Sequence, residues 1–106
     1  MMYRQHPTCE IPPFLQGEGW FDNSWRNDTC ANSLFEFDEA TQEALRVWVA
    51  EEKPADREYP DGPRYIVEHI RKESEYLDGE ALVLYSGEDA AAAEAAVRQF
   101  MEARKK

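Results

Sequence analysis

A chain of 106 residues has the length of one domain, and folding at that size buries roughly two-thirds of the unfolded surface, so residues 1–106 are read as a single unit. The 22 acidic residues outweigh 12 Lys and Arg for a formal charge of −10, which disfavours direct nucleic-acid binding, because affinity for a phosphate backbone comes from counterion release by Lys and Arg. The same imbalance favours a basic protein surface as partner, while the lack of any apolar run of about 18 residues, or of an apolar leader stretch, argues against a membrane partner and points to the cytoplasm.

The first third, Met1 to Ser33, is expected to be irregular. Pro7, Pro12 and Pro13 forbid a continuous helix, and Gly17, Gly19, Asn23, Asn27 and Asn32 supply turns. This segment should wrap the domain, pinned to it by Ile11, Phe14, Leu15, Trp20 and Trp25. From Leu34 the pattern changes. Phe35 and Phe37 share one face of a strand, as do Leu45, Val47 and Val49, with Trp48 on the other, and the two runs read as a β-hairpin. Between them, Glu39 to Ala44 has room for one helical turn but not for a stable helix.

Glu51 to Pro63 carries Pro54, Pro60, Asp61, Gly62 and Pro63 among charged residues and no apolar period, the pattern of an exposed loop. Arg64 to Arg71 is rich in β-branched residues and reads as a strand, with a helix opened by Pro63 as the alternative. Asp78-Gly79 is a two-residue hairpin signal leading into a strand over Glu80 to Tyr85. Ser86-Gly87-Glu88-Asp89 resembles a capping box. It opens the clearest helix, Ala90 to Arg104, whose apolar stripe is Ala93, Ala96, Val97, Phe100 and Met101. The expected fold is α+β: a small, mostly antiparallel four-stranded sheet, a C-terminal helix packed on it and an irregular N-terminal segment.

Chemistry-bearing residues are few. His6, Cys9, Cys30 and His69 are the available soft ligands, but no CxxC pairs them at zinc-site spacing. A Cys30 nucleophile with His69 as base and Asp22 or Asp28 as orienter is a combination almost any chain of this size contains. His69, alternating with Tyr65 and Val67, reads as a packed, hydrogen-bonded histidine. In a reducing compartment Cys9 and Cys30 stay free thiols. No phosphate loop, nucleophile elbow or HExxH occurs, so no catalytic residue, metal or cofactor is assigned and the chain is read as a non-enzyme.

Two segments could meet a partner. In Gly19 to Cys30, two Trp and a Phe sit among amides, carboxylates and hydroxyls. Either the aromatics anchor an ordered loop, or Trp25, Arg26 and Asp28 form a binding hot spot. Residues 36–61 hold nine acids against three bases; within them Glu51, Glu52, Asp56, Glu58 and Asp61 lie on the expected loop and complete the candidate partner-binding set.

The run Trp20-Phe21-Asp22-Asn23-Ser24-Trp25-Arg26-Asn27-Asp28-Thr29-Cys30, followed by Leu45-Arg46-Val47-Trp48-Val49, Arg57-Glu58 and Arg64-Tyr65, resembles small bacterial proteins without an assigned activity, several of them carried on phages and plasmids. The resemblance spans about half of the chain and implies a mobile-element setting. In size and acidity the chain is also similar to anti-CRISPR proteins, which are short, often acidic and plug basic nucleic-acid channels. The expected function is therefore that of a phage or mobile-element inhibitor whose acidic face occupies a basic surface of a host protein or nucleoprotein complex. The alternative is a self-associating assembly domain, a homodimer through a sheet edge or helix face, whose acids only keep it soluble.

Overall fold

The computed structural model describes residues 11–23, 31–57, 61–78 and 80–104. Strands β1 (Trp20–Asp22), β2 (Ala31–Asp38), β3 (Glu43–Val49), β4 (Tyr65–Ile70) and β5 (Leu82–Gly87) form one sheet. Their spatial order is their chain order, β1-β2-β3-β4-β5, and every neighbouring pair is antiparallel. Helix α1 (Glu73–Asp78) lies between β4 and β5, and α2 (Ala90–Arg104) follows β5.

The alternation seen in the sequence decides which face is buried. Because side chains on a strand change face at each step, Leu45, Val47 and Val49 of β3 and Tyr65 and Val67 of β4 fall on one side, where α2 applies Ala93 and Val97. Ile11 and Leu15, from the segment ahead of β1, close the same core. Each fully enclosed Leu, Val or Ile adds about 1.5–3 kcal/mol of transfer free energy, and Leu15, Leu45, Val47, Val49 and Val67 are all fully enclosed. A ridge of aromatic contacts runs along this face: Trp20 to Phe35 and Phe35 to Phe37 at 5.4 Å, Phe37 to Phe100 at 5.8 Å, and Phe100 to His69 at 4.5 Å between ring centroids.

The sheet has five strands where the sequence pattern suggests four. The additional one is β1, which pairs Trp20 with Phe35 and Asp22 with Ser33, so the first third builds part of the sheet. Gly19 makes this approach possible: its φ is +90°, and a Cβ there would lie 2.4 Å from the Phe35 ring, a place and a conformation open to glycine. Trp20 is thus an anchor of the fold.

Two local expectations are also corrected, and a third is met: residues 39–42, between β2 and β3, make one turn and no helix. Asp38 Oδ1 accepts hydrogen bonds from the Ala40 and Thr41 amides at 2.9 and 3.4 Å, Gln42 takes a left-handed φ of +66°, and Glu43 and Ala44 join β3. No tight hairpin joins β4 to β5, because Asp78 belongs to α1; Gly79 lies outside the described residues. An Arg71–Glu75 pair at 2.6 Å and hydrogen bonds from the Arg71 amide and Nε to Glu75 Oε1 at 2.9 and 3.0 Å hold the helical turn against the local Asp-Gly preference. Finally, Ser86 sits in β5 opposite Ile66, and Asp89 is the cap of α2. Its Oδ1 accepts the Ala91 amide at 2.9 Å, satisfying one of the donors a helix start leaves open.

Candidate functional site

The acidic loop between β3 and β4 is built around Arg57. Pro54 opens a 3-10 turn, Pro54–Asp56, after which Arg57 is buried while Asp56 before it is exposed. Only 8% of Arg57 is exposed, and its guanidinium uses all five N–H groups. Nε donates to the Glu51 carbonyl at 2.6 Å. Nη2 donates to the Glu52 carbonyl at 2.9 Å and to Glu88 Oε1 at 2.8 Å, and Nη1 to the Gly62 carbonyl and to Glu88 Oε2, both at 3.1 Å. Such a fork, bidentate on a carboxylate and closed by three carbonyls, is geometry only arginine supplies.

Glu88, from the junction of β5 and α2, is the other half of the pin. Its Oε2 also accepts the Arg64 amide at 2.7 Å, and the Arg57 guanidinium, aided by that amide, holds its carboxyl below the usual carboxylate range. One hydrogen bond from the Ala50 amide to the Arg64 carbonyl at 2.7 Å closes the neck of the loop. The result is an ordered platform on which Glu52, Asp56 and Asp61 are exposed and Glu51 is half-buried. Of the sequence-selected partner residues, these four are brought onto one loop. Trp25, Arg26, Asp28 and Glu58 lie outside the described residues.

Two further clusters are structural in their geometry. On the sheet face away from α2, Arg46 and Glu68 face each other across β3 and β4, paired at 2.9 Å with their side chains 8% and 11% exposed. Trp48 Nε1 donates to the same Glu68 Oε1 at 2.6 Å, and the Arg46 guanidinium lies 4.8 Å from the Trp48 ring centroid, a cation–π contact. At the far end of α2, Arg104 binds Glu43 bidentately at 2.6 and 2.8 Å. His69 Nε2 meets Glu43 Oε2 at 2.8 Å, so His69 is packed and hydrogen-bonded, as its strand position suggests. The Arg104 guanidinium, with His69, keeps Glu43 below the ordinary carboxylate range despite its partial burial.

Neither cluster places a nucleophile beside a base. His6, Cys9 and Cys30 lie outside the described residues, and among the described residues no three His, Cys, Asp or Glu side chains converge as a metal shell would require. No helix among those residues is long and apolar enough to cross a membrane. Set against protein-family models, curated proteins and solved structures, the chain matches none.

A shallow groove of about 470 Å³ runs between α2 and the segment ahead of β1, lined by Pro13, Phe14, Trp20, Val97 and Met101 and rimmed by Glu94 and Arg98. Glu94 and Arg98 pair with each other along the helix, so the rim presents no unbalanced charge.

Arg57 and Glu88 are the residues sequence reading missed. Arg57 counts there as a base diluting an acidic stretch and as part of the Arg57-Glu58 pair in the resemblance, and Glu88 as a helix-start acid; neither is given a structural role. The available signal is an arginine between Pro54 and Pro60 in a mainly acidic loop whose other base is Lys53.

Proposed function

We propose that this protein is a small interaction or inhibitor protein that docks its β3–β4 loop on a basic, nucleic-acid-binding surface of a host protein, in the manner of anti-CRISPR proteins. The observation that carries this reading is the Arg57 pin. A merely solubilising acidic loop has no need of a fixed shape, whereas here five hydrogen bonds hold the backbone from which Glu52, Asp56 and Asp61 project. Fixing the loop before encounter reduces the ordering entropy lost on binding. The overall charge of −10 steers a basic partner toward it and raises the association rate.

The test is capture from a bacterial lysate by the immobilised protein and by a triple variant, Glu52→Lys, Asp56→Lys and Asp61→Lys, with bound proteins identified by mass. The expected result is capture of a nucleic-acid-binding protein that weakens steeply between 50 and 300 mM salt, is competed by nucleic acid and is lost in the triple variant. Capture unaffected by salt and by the three reversals would refute the docking mode.

A further inference from the structure

We infer that the outer edge of β5 receives an extended, lysine- or arginine-flanked strand of the partner, which adds to the sheet as a sixth strand. This inference rests on the proposed basic partner and names the kind of segment that partner offers.

The sheet ends in two unlike edges. At one end, β1 has three residues, among them Asp22, and a short strand bearing a charge is an edge protected against further pairing. At the other end, β5 has six residues, Leu-Val-Leu-Tyr-Ser-Gly, without a charge or a proline. Among the described residues no strand pairs with its outer side. Leu82 and Val83 are 52% and 51% exposed, although they stand on opposite faces of the sheet. A strand docking here would add main-chain hydrogen bonds and cover both side chains at once. The register shifts opposite Val67 and Glu68, which makes Leu84 an extra residue and leaves Leu82 and Val83 as the regular stretch nearest the start of the edge.

Charge selects the occupant. Glu80 precedes the strand and Asp89 follows it, both exposed, while the Glu88 carboxylate between them is already paired with Arg57. Were a second copy of this chain to pair β5 with β5 antiparallel about the Leu84–Tyr85 step, Glu80 of each copy would face Asp89 of the other, and like charges placed opposite on neighbouring strands oppose pairing. A strand with an apolar centre and basic residues at both ends meets the same acids favourably.

The probe is a synthetic peptide, Lys-Lys-Val-Thr-Val-Thr-Val-Lys-Lys, with a glutamate-flanked version as control, added to the isotopically labelled protein. The expected result is selective shifts of the amides of residues 82–87 with the lysine peptide and none with the glutamate peptide. Binding should weaken at least tenfold in Leu82→Lys/Val83→Lys, whose exposed positions leave the thermal melt unchanged, and in Glu80→Lys. The triple loop variant should bind the peptide as the wild type does. Equal binding of both peptides, or shifts confined to residues elsewhere, would overturn the inference. So would a concentration-dependent dimer in sedimentation whose β5 amides are protected from exchange, since a second copy would then cover the edge. Loop-dependent capture from lysate without peptide binding at β5 refutes the edge alone; peptide binding without loop-dependent capture refutes the loop reading alone.

Discussion

Replacing Arg57 by alanine should unfold the acidic loop before it unfolds the sheet. The truncation removes five hydrogen bonds, and a bond involving a charged group contributes about 1.5–3 kcal/mol net. The sum of five such values is not the expected loss. The Glu51, Glu52 and Gly62 carbonyls regain water once the loop opens, and Glu88, whose side chain is 60% exposed, adds little as an ion pair. A loss of about 3 kcal/mol remains, which at about 4–5 °C per kcal/mol for a domain of this length lowers the melting temperature by about 12–15 °C. Arg57→Lys keeps the charge but offers three donors from one point in place of a planar fork, so it should recover less than half of the loss. Urea melts of the three proteins give the free energies. Amide exchange locates them: the Arg64 amide, held by Glu88, should lose protection in Arg57→Ala while the amides paired between β3 and β4 keep theirs. A loss below about 1 kcal/mol, or a lysine variant as stable as the wild type, would refute the pin as the organiser of the loop.

Two other outcomes follow from the remaining clusters. Glu68→Ala should cost about 3–5 kcal/mol in a denaturant melt, the range for breaking a buried pair on one side. The double change Arg46→Met/Glu68→Leu should recover most of it, and a double variant no better than Glu68→Ala would show that the pair is not the source of the loss. The second outcome concerns acid. Glu43 is held below its ordinary range by Arg104 first and by His69, and a depressed carboxylate contributes stability that is present above its unfolded value and lost as pH falls through its folded value. The stability gap between wild type and Glu43→Gln should therefore be open at neutrality and close as pH falls below about 4.5, the unfolded range of the group. Melts over pH 7 to 3 measure it, and a gap as wide at pH 3 as at pH 7 would contradict the assignment.

The legible part of the fold is the part written in short periods. Phe35 and Phe37, Leu45, Val47 and Val49, and Tyr65 and Val67 alternate cleanly because they share the apolar face that α2 covers, while the positions that alternate with them include Arg46, Trp48 and Glu68 of the other face. The α2 stripe shows for the corresponding reason at helical spacing, with Ala93 and Val97 buried as read. Strand β1 was not legible. Three residues between Gly19 and Asn23 are too few to show alternation, and they pair only because β2 is already there. Helix α1 was hidden by Asp78-Gly79, a local turn preference that the Arg71–Glu75 contacts override. The loop itself was legible as exposed and acidic, but its order was not, since Arg57 and Glu88 are 31 residues apart and no local pattern links them.

The sheet's spatial order repeats its chain order, and this has a consequence for how the chain assembles. Each strand as it leaves the ribosome finds its partner in the strand just made, so every pairing closes a short loop, the cheapest kind entropically and the fastest kinetically. The covering of the apolar face is not so early. Val47, Val49 and Val67 receive Ala93 and Val97 only after α2 has been synthesised, at the far end of the described chain. Until then the nascent meander has paired backbone and a bare greasy side, the condition in which partly made proteins stick to one another or to chaperones. Shortening α2 should therefore harm yield in the cell more than its share of the stability would suggest.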